Sequence, residues 1–188
     1  MSMNLEKNYV WIDLEMTGLN AERDVILEIA TIITDSELNF IAQGPVFVVH
    51  QSKEKLALMD AFVSKLHGKS GLALLSGVST VSLYEAKEQT LAFIKQYCSK
   101  GTALLAGNSV WQDRAFLAKY MPEIVAYMHY RILDISGLKT LIHRWYPNSS
   151  YAHYKKPETH RALEDIKQSI EELKHYRRHF FVEKKVIQ

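Results

Sequence analysis

The chain has 188 residues, 47% hydrophobic and 23% charged, the balance of a folded protein and not of a disordered or low-complexity one. Its single cysteine, Cys98, excludes an internal disulfide framework and any cysteine-rich zinc module. The net charge of +2, from 23 Lys+Arg against 21 Asp+Glu, excludes the large basic excess that grips long nucleic acids; such a partner would have to be short or held by a few contacts.

Residues 1–8 are polar, and the apolar run after them carries Asp13 and Glu15, so neither a signal-peptide core nor an anchor helix is expected. No later run approaches the ~18 apolar residues of a membrane span. A soluble, cytoplasmic protein without a membrane partner is expected, folded as one domain over residues 1–188.

Residues 9–14 (Tyr-Val-Trp-Ile-Asp-Leu) are apolar on both alternating faces, which predicts a central strand covered on both sides. Thr17-Gly18 breaks the run. Residues 25–34, rich in Ile and Val, and residues 40–49 flank the polar turn Asp35-Ser36-Glu37 and complete a three-strand opening joined by short hairpins. The period then changes. Ser82-Leu-Tyr-Glu85 has the form of a capping box, apolar residues recur at Leu83, Ala86, Leu91, Ile94 and Cys98, and Gly101 sits where a helix should stop. Residues 102–106 read as a short buried strand. Ser109-Val-Trp-Gln112 has a second capping-box form and opens a helix to about Tyr120, ahead of Pro122. Residues 130–135 are predicted as the last strand, followed by a helix to about Tyr146, an aromatic and basic loop over 147–159, and a long helix over roughly 160–178. This order predicts an α/β protein with a mixed five-stranded sheet flanked by helices, antiparallel at one edge and parallel in the middle. Ligands in such sheets sit at the carboxyl ends of the parallel strands.

Three groups of residues stand out for chemistry. Asp13 and Glu15 lie two apart at the end of an apolar strand, so both leave the same face. Two carboxylates side by side are costly to bury unless something positive meets them, although the pair alone also fits a strand end emerging into solvent. Asp113 falls in the first turn of the helix fed by Leu104-Leu105. It is either an acidic residue favoured near a helix N-terminus or, if that strand neighbours the first, a third carboxylate at the same sheet edge. His160 and Asp165, five residues apart, would point about 140° away from each other on a helix, so they converge only if His160 stands at the junction of loop and helix. Together, four carboxylates and a histidine map to the ends of elements that one mixed sheet would gather. Four such charges repel at close range, and two divalent cations would resolve the repulsion; oxygen ligands select hard ions, Mg²⁺ or Mn²⁺. A pair of such ions is a standard device for in-line phosphodiester displacement.

The set Asp13-x-Glu15, Asp113 and His160-x-Ala162-x-x-Asp165 resembles the DEDDh 3′→5′ exonucleases, of the ribonuclease H-like fold. The segments Trp-Ile-Asp-Leu-Glu-Met-Thr-Gly-Leu (11–19), Gly-Asn-Ser…Gln-Asp-Arg (107–114), Tyr-Arg-Ile-Leu-Asp-Ile-Ser (130–136) and His-Arg-Ala-Leu-Glu-Asp-Ile (160–166) are similar to the oligoribonuclease branch of that family, and the likeness runs from about residue 8 to residue 180. It implies that Asp13, Glu15 and Asp165 bind one cation, that Asp13 and, through water, Asp113 hold a second, and that His160 is the general base. Histidine suits that role because its ordinary pKa of about 6.5 lets it cycle near neutrality. The product implied is a nucleoside 5′-monophosphate released from the 3′ end of a short single-stranded RNA.

The same resemblance assigns substrate contacts to Leu19, Phe62, His67, Ser109, Arg131 and Ser136. Leu19 matches an apolar wedge against the bases. Phe62 stands where oligoribonucleases usually carry Trp, a smaller ring without the indole donor. His67 matches a contact to the 3′-terminal ribose. Tyr130, Arg131 and Ser136 match a segment that reaches into the partner subunit, where the tyrosine aids catalysis and its neighbours cap the substrate's 5′ phosphate. A homodimer with composite sites is therefore expected. His143, His175 and His179, the loop 151–156 and the tail around Phe180-Phe181 are expected to be surface or packing features.

Overall fold

The protein is described from a computed structural model, which covers residues 7–155 and 160–181. The sheet is built on β1 (Tyr9–Met16), which is paired antiparallel with β2 (Ile26–Thr34) on one side. Its other side pairs in parallel with β5 (Leu104–Gly107), the neighbour relation that the sequence leaves open. β3 (Phe40–Gln43) continues antiparallel from β2, and β6 (Ile132–Asp134) continues parallel from β5, giving the order β3-β2-β1-β5-β6.

Among the described residues the sheet has six strands where five are expected, because the third run is divided. Its second half is β4 (Phe47–Val48), which pairs farther along β2. The division falls at Gly44-Pro45. Gly44 donates its amide to the Thr31 carbonyl, any Cβ there would press into the Phe93 ring, and Pro45 has no amide to offer a ladder.

Three helices follow that periodicity does not reveal: α1 (Lys53–Leu56), α2 (Ala61–Lys69) and α3 (Leu72–Val78). α1 buries no side chain and α2 buries only His67, so neither shows an apolar stripe. Their starts are set by local chemistry. The Ser52 and Asp60 side chains accept the amides of Lys55 and Val63. α4 (Leu83–Tyr97) begins with the expected cap, Ser82 Oγ accepting the Glu85 amide at 3.1 Å, and stops before Gly101, whose φ is +76°. α5 (Val110–Tyr120) has the predicted length but lacks the predicted cap. Ser109 adopts φ +50°, and its hydroxyl lies 3.0 Å from Ser136 Oγ instead. A short α6 (Pro122–Tyr127), α7 (Ile135–Trp145), a 3₁₀ turn (Ser150–Ala152) and α8 (Ala162–Phe180) complete the chain. Among the described residues, no helix is long and apolar enough to cross a membrane.

The sheet carries a core on each face, and the two-residue alternation of β1 divides its side chains between them. Val10, Ile12 and Leu14 pack with Ile29 and Ile33 of β2, Ile94 of α4, and Phe116 and Leu117 of α5. Trp11 faces the other way, against Ala30, Ile32 and the α8 residues Ile166, Ile170 and Tyr176. It is fully buried, with its indole N–H donated to Thr34 Oγ1 at 3.0 Å; losing a ring so placed costs a core about 3–5 kcal/mol. Asp13 and Glu15 share this parity and therefore emerge on the face that α8 covers.

Candidate active site

In the β1–β2 ladder Asp13 lies opposite Ala30 and Glu15 opposite Glu28. Glu28 is a charged residue inside a strand whose nine positions are all buried. Its carboxylate accepts three bonds from Arg161: Nη2 reaches Oε1 at 2.7 Å, and Nε reaches the two oxygens at 3.1 and 3.2 Å. It also accepts the Ala162 amide at 2.9 Å, the first N–H of α8. One carboxylate from the sheet thus caps the helix and pairs with the residue before it, and the Arg161 guanidinium is held above its usual range by that bond.

The α8 entry brings the third sequence group together. His160 precedes the helix and sits at φ +49°, a left-handed conformation uncommon for any residue with a side chain. Standing at the junction, it escapes the angular separation that a helix would impose. Ligand atoms of Glu15, His160 and Asp165 all lie within 4.8 Å of one another. The Asp165 amide donates to the Arg161 carbonyl at 3.0 Å. The part of the aromatic and basic loop comprising Lys156 and residues 157–159 lies outside the described residues.

Asp113 reaches the site from α5. Its Oδ1 accepts the Leu14 amide at 2.9 Å, so it is fixed against the end of β1, and it is buried. Burial, reinforced by Asp134 and opposed by the Leu14 amide, pushes its carboxyl up to about 7. Burial also raises the Glu15 carboxyl, to about 8, with Asp165, Glu28 and Asp113 adding to the rise and Arg161 opposing it. Asp13 is half-buried on the face of Glu15, and neither it nor Asp113 joins the tight group of three. Burial and mutual repulsion thus hold two acids of this cluster above the ordinary carboxylate range. Two carboxylates and an imidazole with ligand atoms within 4.8 Å of one another suit a hard or borderline divalent cation.

The residues expected to touch substrate fall into two groups. In the first, His67 of α2 is buried beside Glu15. Its Nε2 donates to the Met16 carbonyl at 2.8 Å, which leaves Nδ1 as an acceptor, without a hydrogen-bond partner and 4.0 Å from Glu15 Oε2. Burial lowers its pKa; the Met16 bond opposes this and the nearby His160 adds to it. Leu19 and Phe62 are 73% and 74% exposed. The loop bearing Leu19 is shaped by the Asp24 carboxylate, which accepts the Asn20 amide at 2.9 Å and pairs with Arg23. Gly18 is required there because any Cβ would overlap that carboxylate. From α5, Gln112 Nε2 donates to the Leu19 carbonyl at 2.6 Å.

The second group lies at the β5–β6 edge. The Ser109 amide donates to Asp134 Oδ1 at 3.0 Å and to Ser136 Oγ at 2.9 Å. Ser136 Oγ lies 3.3 Å from Asn108 Oδ1, and Asn108 Nδ2 donates to Ser169 and Glu172 of α8. Tyr130 stays 71% exposed, stacked on His129 with the Arg131 guanidinium over its ring. His143 and His175, expected at the surface, each bond a carbonyl of the 3₁₀ turn, those of Ala152 and Tyr151.

Sequence reading missed Glu28 and Arg161. A signal existed, since a lone glutamate interrupts an otherwise buried strand opposite Glu15. It also missed Asn108 and Glu172, whose contacts join residues 64 positions apart.

A sequence profile of the RNase T family, described as Exonuclease, matches residues 10–173. An oligoribonuclease of Ectopseudomonas mendocina (strain ymp) is 53% identical over 178 residues, 95% of this chain and 98% of that one. Exonuclease I from Methylocaldum szegediense superposes with a TM-score of 0.70 at 16% identity over 93% of this chain, which spans 41% of that exonuclease. Pop2p of S. pombe, in a form bound to Mg²⁺ and Mn²⁺, superposes with a TM-score of 0.65 at 14% identity, covering 92% and 84% of the two chains. At these identities the two structures show a shared fold. The profile and the close relative show more: this chain belongs to the exonuclease family and, within it, to the oligoribonucleases.

Proposed function

We propose that the protein is a 3′→5′ exoribonuclease that hydrolyses short RNAs, from dinucleotides to a few nucleotides, to nucleoside 5′-monophosphates. One observation carries the reading: Glu15, His160 and Asp165, from a strand and a helix entry 145 positions away, bring their ligand atoms within 4.8 Å in a chain 53% identical to an oligoribonuclease.

Two divalent cations, Mg²⁺ or Mn²⁺, fit this reading. Asp13, Glu15 and Asp165 would hold one, and Asp13 and, through water, Asp113 the other, with Asp113 fixed beside β1 by the Leu14 amide. The raised Glu15 and Asp113 carboxyls support it, since a cation would offset the repulsion among these acids. When bound, such ions supply Lewis acidity at the scissile phosphate.

The chain's own groups do the rest. The His160 imidazole takes the proton of the attacking water. His67 Nδ1 accepts a hydroxyl of the 3′-terminal sugar, a role that its unpartnered, neutral nitrogen supports. Leu19 and Phe62 flank the bases, and stacking on a ring stabilises by about 1–3 kcal/mol per base. Ser109, Arg131 and Ser136 cap the 5′ phosphate and set the length limit. Tyr130, exposed and braced by Arg131, reaches the active site of a second copy, so the working species is a homodimer. A soluble cytoplasmic enzyme is consistent with the lack of a membrane-spanning helix among the described residues.

The test is incubation with Mg²⁺ and end-labelled RNA and DNA of graded length. Rapid loss of diribonucleotides with long RNA spared is expected. Equal rates on long strands, or preference for DNA, would overturn the substrate assignment, and a monomer in solution with full activity would overturn the composite site.

A further inference from the structure

Glu28 lies outside the chemistry proposed above, yet it is completely buried beside that site. A carboxylate buried this deeply, against a guanidinium that keeps 38% of its side-chain surface in water, is a poor device for stability alone, so its presence calls for another reason. His160 supplies one. Its backbone sits at φ +49°, from which an unrestrained residue would relax.

The next two residues are both tied to the same carboxylate. Arg161 binds it through its guanidinium at 2.7, 3.1 and 3.2 Å, and Ala162 through its amide at 2.9 Å. The Arg161 carbonyl in turn accepts the Asp165 amide at 3.0 Å. Glu28 stands opposite Glu15 in the ladder, so the anchor shares a rigid sheet with a metal-ligand candidate. We infer that Glu28 and Arg161 are positioning residues for His160, holding the helix entry so that the imidazole stays among Glu15 and Asp165.

The pair has the right chemistry for this. A planar guanidinium against a carboxylate fixes direction as well as distance, which a lysine would not do. It also directs the Arg161 guanidinium at Glu28.

The inference rests on His160 being the base, so the test is a double-mutant cycle in the Mg²⁺-loaded protein on a diribonucleotide. Glu28→Gln should lower kcat on the order of 100-fold while KM changes by no more than about threefold, because a base displaced by an ångström fails without loss of substrate binding. In a His160→Ala background the same Glu28→Gln change should alter kcat by less than about threefold, since there is no longer a base to position. Losses that multiply in the double variant, or a Glu28→Gln protein with parental kcat, would overturn the inference and leave the His160 assignment standing. A His160→Ala protein with parental kcat would overturn both. Should Glu28→Gln fail to fold, Arg161→Lys, which keeps the charge and loses the fork, is read through the same cycle.

Discussion

Replacing Glu15 by glutamine should flatten the pH dependence of stability in the metal-free protein and remove its response to a divalent cation. Burial and then Asp165, Glu28 and Asp113 lift the Glu15 carboxyl from an ordinary 4.5 to about 8. Between those values the folded protein keeps a proton that the unfolded chain has released. Metal-free stability therefore falls as pH rises through the window and levels off above it. At ~1.4 kcal/mol per tenfold change in proton affinity, the full rise corresponds to about 5 kcal/mol. The side chain keeps 12% of its surface in water and its acidic neighbours can relax or protonate in turn, so about 2 kcal/mol is the share expected to be measured. Asp113, also raised by burial, titrates in both proteins and largely cancels from the difference. Urea unfolding in EDTA at about pH 5 and about pH 9 reads the effect: the parent should lose about 2 kcal/mol more than Glu15→Gln across the interval. Adding Mg²⁺ at the higher pH should restore the parent and leave the variant unmoved. Parallel profiles for the two proteins, with or without the cation, would refute the reasoning.

Asp13→Asn should abolish diribonucleotide hydrolysis while the far-UV circular dichroism and cooperative unfolding persist, because the side chain is only half-buried and asparagine is nearly its isostere. Phe62→Trp should lower KM by about threefold with kcat unchanged, a fraction of the ~1–3 kcal/mol that stacking on an aromatic ring gives a base; steady-state kinetics on a dinucleotide decides it. Gly18→Ala drives a methyl into the Asp24 carboxylate, which should cost about 1–3 kcal/mol of stability and raise KM by displacing the Leu19 loop. Thermal unfolding and the KM–kcat split check both parts.

The strands were legible where burial alone determines them. Residues 9–14 are apolar on both faces because a core lies on each side, and that pattern survives without any knowledge of partners. The Ser82 cap was legible because its donor is three residues away. Ser109 shows the opposite case. The same local pattern does not form a cap, since Asp134 and Ser136 claim its amide and hydroxyl from 25 and 27 positions further on. α1 and α2 were invisible to periodicity because between them they bury only His67, and α3, seven residues long with Leu72 and Ser76 buried, is too short to show a stripe. At the site, the convergence of His160 with Asp165 could be posed from the five-residue spacing but not resolved, as it depends on a positive φ at one residue. Glu28 passed unnoticed because a strand rich in isoleucine was read for its majority.

β1 outruns its parallel neighbour. The two strands are paired only as far as Trp11 and Ala106, and β1 goes on alone along that side from Ile12 to Met16. The backbone N–H of Leu14, left over by the missing ladder, is taken up by Asp113. Position 113 therefore answers two demands: it finishes the edge of a sheet and it brings a carboxyl group to the site. An asparagine there would part them, since its amide oxygen can still receive the Leu14 proton while the carboxyl group is gone. The seam where the sheet is left unzipped is thus the opening through which this fold admits its chemistry.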